Sequence, residues 1–584
     1  MDINNIKRFL LICLSLAASA GMLTVIQPPF GIWPLAWVAL VPFIIVCSPG
    51  ANVKWLVPVS YAISLCYWLG NLYWIGPVTW AGWLTFCFYT ALLWPLLAIC
   101  VRFCRRKNIA LFLAVPILVV GAERLQGLFL GGFYWRHLSH SQYENTALIQ
   151  IADIFGAAGV SFLAAMVNGL IAELIIAARE KKIFKIGYLV KTILVSVCVI
   201  AAIFYGRWRI EQTEQFVEEG PLIAAVQSNV PQSVKQSYAA TEEIFNDMVK
   251  NSEASAKAGA ELIVWPETMV QAVLDERILR VLDTSGIHKT LDNRIREHAK
   301  ATGAYILAGA TGGSPEIKRD FDIVFAEKYN SAFLYQPDGN QAKEHYNKIH
   351  LVPFGEVVPF KDSFPLLHKL LMKFTPYDYD YTLNYGTEYT VFEMKGRSNK
   401  TYRFGTMICY EGTIPSIARK FAIDNSPPPK GQVRGRGNKK TDWLVNISND
   451  GWFVAFEDGK ARASQSSISA STELSQHTAI CAFRAVENRL GILRSVNTGV
   501  SCLIDTAGRI KSGFSAGNLP INAMERTGMA GWFADKMPID KRITLFSRCG
   551  QWLDLSCAVC FILLMVKLFW ERFISGRKYK KAKE

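Results

Sequence analysis

Three short segments of this chain deliver reactive side chains where strands should end, and together they could support nucleophilic chemistry at sulfur. In ELIVWPE at 261–267, an apolar run meets Pro266, which has no N–H to continue a ladder, and presents Glu267 at its exit. In HYNKIHLVPFGE at 345–356, Lys348 stands just before an apolar-to-turn transition. In FGTMICYE at 404–411, small and apolar residues lead to Cys409, followed at once by the Tyr410 phenol and the Glu411 carboxylate. A thiol with an ordinary pKa of about 8.5 is only slightly ionised at neutral pH, so a nucleophilic cysteine needs a base or a positive field beside it. A glutamate and a lysine are partners of that kind. Taken singly, each residue also has a plainer reading: a solvated turn glutamate, a surface lysine, a packed thiol.

The order of these segments, followed by NISNDGWF at 446–453, resembles the nitrilase superfamily. More narrowly it resembles the apolipoprotein N-acyltransferase family, in which a nitrilase-like domain is joined to multiple membrane spans. QSNVPQS at 227–233, Glu123 with GFYW at 132–135 and Ser141-Gln142, RAVE at 484–487 and NTG at 497–499 extend the likeness over nearly the whole chain. The sequence departs from the family pattern at Gln236, where an aromatic residue is common, and at Tyr134, where proline is common. The resemblance implies that Cys409 is the nucleophile, Glu267 the general base and Lys348 the positive partner of the developing oxyanion. It places Glu356, Tyr410 and Glu411 at further positions that matter for activity. It also implies ping-pong transfer from a phospholipid donor, through a thioester, to the α-amine of the S-diacylglyceryl-cysteine that begins a diacylated apolipoprotein, with no cofactor. Two other readings stand beside it: a membrane-bound nitrilase-type amidase, in which water resolves the thioester, and a non-catalytic membrane scaffold or transporter.

The elements that must position these residues alternate between strand and helix. The runs 222–226, 262–265, 305–308, 331–335, 402–409, 443–447, 491–496 and 501–504 read as strands, many of them apolar on both faces, as suits a sheet covered on both sides. Between them, 239–258, 276–302 and 461–490 carry helical spacing. An α/β layered sandwich follows, and the resemblance sharpens it to a nitrilase-like α-β-β-α sandwich. DNSPPPKGQVRGRGNKK at 424–440 has no apolar surface to bury and reads as a solvated loop insertion.

The rest of the chain is apolar over bilayer-length windows. A hydrocarbon core of about 30 Å needs about 20 apolar residues in a helix. Windows near that length occur at 9–26, 32–47, 56–75, 78–101, 109–130, 159–178, 186–205 and 551–570, with Pro34 and Pro42 breaking the second. Ala18-Ser19-Ala20 resembles a signal cleavage site, but the apolar core runs on past it, so a retained span is expected. Basic clusters follow spans two, four, six and eight, at Lys54, at Arg102 with Arg105 to Lys107, at Arg179 with Lys181, Lys182 and Lys185, and through the tail from Arg572. Lys7 and Arg8 precede the first span. With eight crossings all of these fall on one side, which the positive-inside rule makes cytoplasmic. The organisation expected is therefore seven helices in 1–206, an extracytoplasmic catalytic domain in 207–550, a last helix in 551–571 and a basic cytoplasmic tail in 572–584. That is a multi-pass protein of the bacterial inner membrane with about eight spans.

The net charge of +15 does not signal a nucleic-acid partner, because no aromatic-basic recognition motif accompanies it. Many of the basic residues are span flanks that attract anionic membrane lipid. Of 13 cysteines, only Cys409, Cys481, Cys502 and Cys549 lie in the outer domain, where one disulfide would be possible. The eight histidines form no HExxH or Cys/His spacing, so no metal site is expected. The stretch FPLLHKLLMKF at 364–374 carries apolar residues at helical spacing, interrupted by Lys369 and Lys373. It reads either as an arm dipping into the membrane interface or as a helix packed on its own domain.

Overall fold

The computed structural model describes residues 3–128, 132–231, 240–281, 286–317, 323–358, 360–361, 363–373, 381–424, 438–456 and 468–581. Gln236, Ser233, Phe374 and most of the 424–440 insertion lie outside the described residues. The chain divides into two compact units. Met1–Tyr73, Gly82–Trp208 and Cys549–Glu584 form one, and Trp74–Ala81 with Arg209–Arg548 form the other.

The first unit is helical. Among the described residues, five helices are long and apolar enough to cross a membrane: Ile3–Val25, Trp80–Arg106, Ala157–Arg179, Ile186–Phe216 and Trp552–Glu571. Of the three other expected spans, Val53–Asn71 and Leu111–Gln126 are helices, and 32–47 is broken into a 3-10 turn at Trp33–Trp37 and a short helix at Val41–Val46. Proline removes the donors that would carry a helix through such a break. The main-chain groups freed there are met by Asn168, whose side chain accepts from the Leu40 N–H at 2.8 Å and donates to the Ala36 carbonyl at 2.8 Å. Irregular backbone is tolerable in an apolar surround only with such partners. Glu123 works in the same way: its carboxylate accepts the Leu138 N–H at 2.6 Å and so caps the 3-10 turn Leu138–Gln142. At Gly121 a Cβ would come within 2.7 Å of the Cys557 carbonyl, so glycine lets the Leu111–Gln126 helix lie close against the last one.

The second unit is a four-layer sandwich built on two mixed sheets. In one sheet the order is Ala516–Gly517, Gly531–Asp540, Val217–Gln227, Leu262–Val264, Tyr305–Ile317, Ile323–Tyr335, Gln341–Asn347. Its three central strands run parallel, and the outer ones pair antiparallel. In the other the order is Cys502–Ile504, Gly491–Val496, Trp443–Ser448, Thr401–Ile408, Val391–Lys395, again with a parallel centre. The Ser495 hydroxyl ties the sheets face to face, within hydrogen-bond distance of the Val226 and Val264 carbonyls at 2.8 and 3.0 Å.

On the outer face of the first sheet, Ile244, Phe245 and Met248 of the Thr241–Lys257 helix share a core with Leu291 and Ile295 of the Ile287–Thr302 helix and with Val226, Ile263 and Ile306. Burying apolar side chains of this size stabilises by roughly 1.5–3 kcal/mol each. Helices Pro415–Ala422 and Glu473–Asn488 cover the second sheet. The helical stretch expected at 276–302 is interrupted, as Glu276–Leu279 and Ile287–Thr302. Within the stretch expected at 461–490, the described residues form a short strand at Ile468–Ala470 and a helix at Glu473–Asn488.

The insertion closes at its base, where Ile423 bridges Lys439 and the Asp424 N–H meets the Asn438 carbonyl at 3.0 Å. Lys439 is not solvated as the composition of 424–440 suggested. It is buried, and its ammonium donates to the carbonyls of Asn488, Arg489 and Arg542 at 2.8 Å each. Segment Trp74–Ala81, read in the sequence among the spans, groups with the sandwich, where the Trp74 indole meets Phe453 edge-on at 5.1 Å. All thirteen cysteines are free.

Candidate active site

Cys409 stands one residue past the Thr401–Ile408 strand and opens a 3-10 turn, Cys409–Thr413. The sequence had placed it inside the strand. Its φ of +53° is left-handed, a conformation that costs a side-chain-bearing residue about 1–2 kcal/mol and is kept where the surroundings enforce it. Those surroundings are visible. Asn446 donates to the main-chain carbonyls of Met407 and Cys409 at 3.2 and 3.1 Å. Glu411, two residues on, accepts the Ile408 N–H at 2.7 Å.

Glu411 also reaches the lysine loop. Its carboxylate accepts the N–H groups of Ile349 and His350 at 2.7 and 2.9 Å and the Tyr346 hydroxyl at 2.9 Å. Burial pushes Glu411 up to about 7, while its main-chain partners pull it back. With four donor groups converging on two oxygens, a carboxyl proton would have to displace one of them, so the carboxylate is the form that fits. Tyr410 points elsewhere, its ring 5.6 Å from that of His350.

Lys348 follows directly on the Gln341–Asn347 strand and is 1% exposed. Its ammonium lies 3.2 Å from Glu267 and 2.8 Å from Glu356. Burial disfavours its charge, but these two carboxylates more than compensate and hold the lysine well above its ordinary pKa. Glu267 leaves the Leu262–Val264 strand through Pro266, as its sequence implied, and is buried. Its Oε1 accepts from Asn330 at 2.7 Å, and its Oε2 accepts the Asn449 N–H at 2.8 Å. A neighbouring strand passes so close that a Cβ at Gly309 would sit 2.8 Å from the Glu267 Cα, so glycine is required there. Glu356 accepts from Asn330 at 2.9 Å and from the Val352 N–H at 2.9 Å.

The structure thus brings Glu267, Lys348 and Glu356 into direct contact, with Cys409 close enough to feel the first two. Burial raises the Cys409 thiol well above its usual range, the Glu267 charge adds to this, and Lys348 opposes it. One ammonium already faces two carboxylates, so a thiolate would add an uncompensated negative charge. Cys409 therefore rests as a thiol beside a carboxylate, a state from which a proton could pass only as the sulfur bonds to another group.

Four polar residues of this region were not among the candidates the sequence singled out. Asn330, a lone asparagine in a strand, bridges Glu267 and Glu356 through one amide nitrogen. Behind Cys409 lie Glu473, His477 and Arg494, all fully buried with Asp450. Arg494 donates to Asn446 at 2.6 Å and approaches Asp450 at 3.6 Å. His477 Nδ1 lies 3.1 Å from Glu473. Burial and the Asp450 charge push Glu473 well above the carboxylate range, and burial with Arg494 holds His477 well below its usual value. A protonated Glu473 donating to a neutral imidazole fits that contact. The i,i+4 spacing of Glu473 and His477 on one helix was the available clue. Asp450, Glu473 and His477 offer ligand atoms within 4.8 Å of one another, but the Arg494 guanidinium already supplies the positive charge there.

A family model described as the apolipoprotein N-acyltransferase N-terminal domain matches residues 19–170, and one described as carbon-nitrogen hydrolase matches 222–426. An apolipoprotein N-acyltransferase of Geobacter metallireducens is 30% identical over 518 residues, covering 85% of this chain and 86% of that one. The chain belongs to the apolipoprotein N-acyltransferase family. Another apolipoprotein N-acyltransferase, from Bradyrhizobium diazoefficiens, is 26% identical, covering 81% of this chain and 75% of its own. Among solved structures, an amidase from Nesterenkonia sp. is similar over 56% of this chain and 93% of its own, at 16% identity and a TM-score of 0.32. In this chain the hydrolase match contains Glu267, Lys348, Glu356 and Cys409 and ends within the insertion. The buried network of Asp450, Glu473, His477 and Arg494 lies beyond it.

Proposed function

We propose that this chain is an N-acyltransferase that moves an acyl group from a phospholipid, through a thioester on Cys409, to the α-amine of the S-diacylglyceryl-cysteine at the start of a lipoprotein. The observation that carries the reading is the contact of Glu267 with the Lys348 ammonium beside a strained cysteine, in a chain of this family. As Cys409 Sγ bonds to the ester carbonyl carbon, Glu267 takes the thiol proton. The tetrahedral oxyanion faces Lys348 and the Tyr410 N–H, each such donor being worth about 3–4 kcal/mol. Its collapse breaks the ester C–O bond, and the proton on Glu267 leaves with the lysophospholipid alkoxide. In the second half, the neutral amine attacks the thioester and passes a proton to Glu267. The C–S bond then breaks, and Cys409 recovers that proton.

Both substrates are lipids, and withdrawing them from the bilayer costs about 0.8 kcal/mol per CH₂. The five long helices, with the segments at 33–46, 53–71 and 111–126, make eight crossings in our reading. This places both termini and every basic cluster in the cytoplasm and the sandwich outside, at the bacterial inner membrane. Support for a membrane-dipping arm comes from the Pro365–Met372 helix, which buries none of its residues and leaves Leu366 87% exposed.

Incubation of the purified chain with phosphatidylethanolamine should yield an acyl adduct on Cys409 by mass spectrometry, and a diacylated lipopeptide should then gain one acyl chain. Release of free fatty acid alone would make it a hydrolase. Full transfer by Cys409→Ala would remove the mechanism.

A further inference from the structure

The helical unit contains a second place where lipid chemistry converges, and none of the catalytic residues takes part in it. A cleft of about 600 Å³ opens between the first helix, the broken segment and the end of the Ala157–Arg179 helix. Ile12, Trp55 and Ile176 give it an apolar wall, and Arg8, Arg105 and Arg179 line its mouth. Arg105 is half-buried and held in place, donating from Nη1 to the carbonyls of Ile44 and Ile45 at 3.1 and 2.6 Å. Arg8 and Arg179 are exposed, and their guanidinium groups have no hydrogen-bond or ion-pair partner among the described residues. The carboxylate that lines the cleft, Glu180, is engaged by Lys182 at 2.7 Å and also attracts Arg105, so what it leaves without an anionic partner is Arg8 and Arg179.

Three guanidinium groups around one opening repel each other unless an anion lies between them. Arginine presents a planar fork that matches phosphate oxygens. A small hydrated anion would satisfy the charges and leave the wall exposed; a lipid satisfies both, and basic pockets between membrane helices take anionic head groups for this reason. We infer that the cleft binds one anionic phospholipid, with its phosphodiester on Arg8, Arg105 and Arg179 and its acyl chains along the Ile12–Trp55–Ile176 wall. This resident lipid is distinct from the acyl donor.

The test is native mass spectrometry of the full chain in detergent with added dioleoylphosphatidylglycerol, dioleoylphosphatidylethanolamine or glycerol phosphate, alongside thermal unfolding in the same mixtures. The wild-type chain should retain one phosphatidylglycerol in preference to phosphatidylethanolamine and unfold at a higher temperature with it. Arg8→Gln/Arg179→Gln should bind phosphatidylglycerol at least about tenfold more weakly and lose the thermal gain. Lys107→Gln/Lys185→Gln, which removes equal charge from outside the cleft, should retain both. If the lipid-free double variant is unstable, Arg8→Gln alone is read by its adduct. The inference is overturned if the cleft variants bind phosphatidylglycerol as the wild type does, if the control variant loses it equally, or if glycerol phosphate gives the same adduct and thermal gain.

Discussion

Replacing Glu411 by glutamine tests whether one carboxylate holds the nucleophile and the lysine loop in register. Glutamine matches the shape but offers one acceptor oxygen and one NH₂ donor. If the NH₂ takes the Oε2 position, it faces the Ile408 N–H; if it takes the Oε1 position, it faces those of Ile349 and His350. The better choice orphans one buried N–H, costing about 1–3 kcal/mol, and removes charge assistance from the remaining two, about 1 kcal/mol each. A total of about 3–5 kcal/mol falls on the arrangement that places Cys409 beside Lys348, which corresponds to at least roughly a hundredfold in rate. The assay is the first-order growth of the acyl adduct on Cys409 with phosphatidylethanolamine, followed by intact mass, with thiol content checked by alkylation. Acylation by Glu411→Gln within threefold of the wild type, with an unchanged unfolding temperature, would refute the idea that this carboxylate locks the two segments together.

Asn330→Asp puts a third carboxylate where an amide now donates to Glu267 and Glu356; acylation at neutral pH should fall at least about tenfold and partly recover on acidification, a shift visible in the pH–rate profile. Burial and the Lys348 charge hold His350 down at about 4, below its unfolded value. The stabilisation it contributes is therefore complete above pH 6.5 and is lost as pH falls through 4. His350→Gln should flatten the stability–pH curve in that window by up to one proton, about 1.4 kcal/mol per pH unit. Leu366→Ser/Leu370→Ser, on the exposed helix, should slow turnover of phospholipid vesicles while leaving acylation by a soluble short-chain ester unchanged. Equal losses on both substrates would reject the membrane arm.

How much of this was legible beforehand depends on the range of the interaction concerned. Apolar runs set the strands at 262–264, 443–448 and 491–496, because a strand buried on both faces is predominantly apolar. The turn after Glu267 was readable because Pro266 ends a ladder wherever it stands. The broken segment at 33–46 was equally readable, since its prolines act locally. The strand 531–540 has no such local signal, because its place is set by pairing with 217–227, some three hundred residues away in the chain.

What the sequence alone determined is which residues could react: a sulfur, a carboxylate and an ammonium at strand exits, in a family order, on a chain rich in membrane-length apolar helices. Only the tertiary structure decided what those groups experience. A lysine is ordinarily a solvated point charge; Lys348 becomes a buried cation between two carboxylates because the Gln341–Asn347 strand ends beside Glu267, eighty-one residues away in the chain. Asn330 and Glu411 have their roles by the same cause. Hydrogen bonds act over about 3 Å, and what lies within that distance is fixed by how sheets and loops pack, which no local pattern of residues encodes.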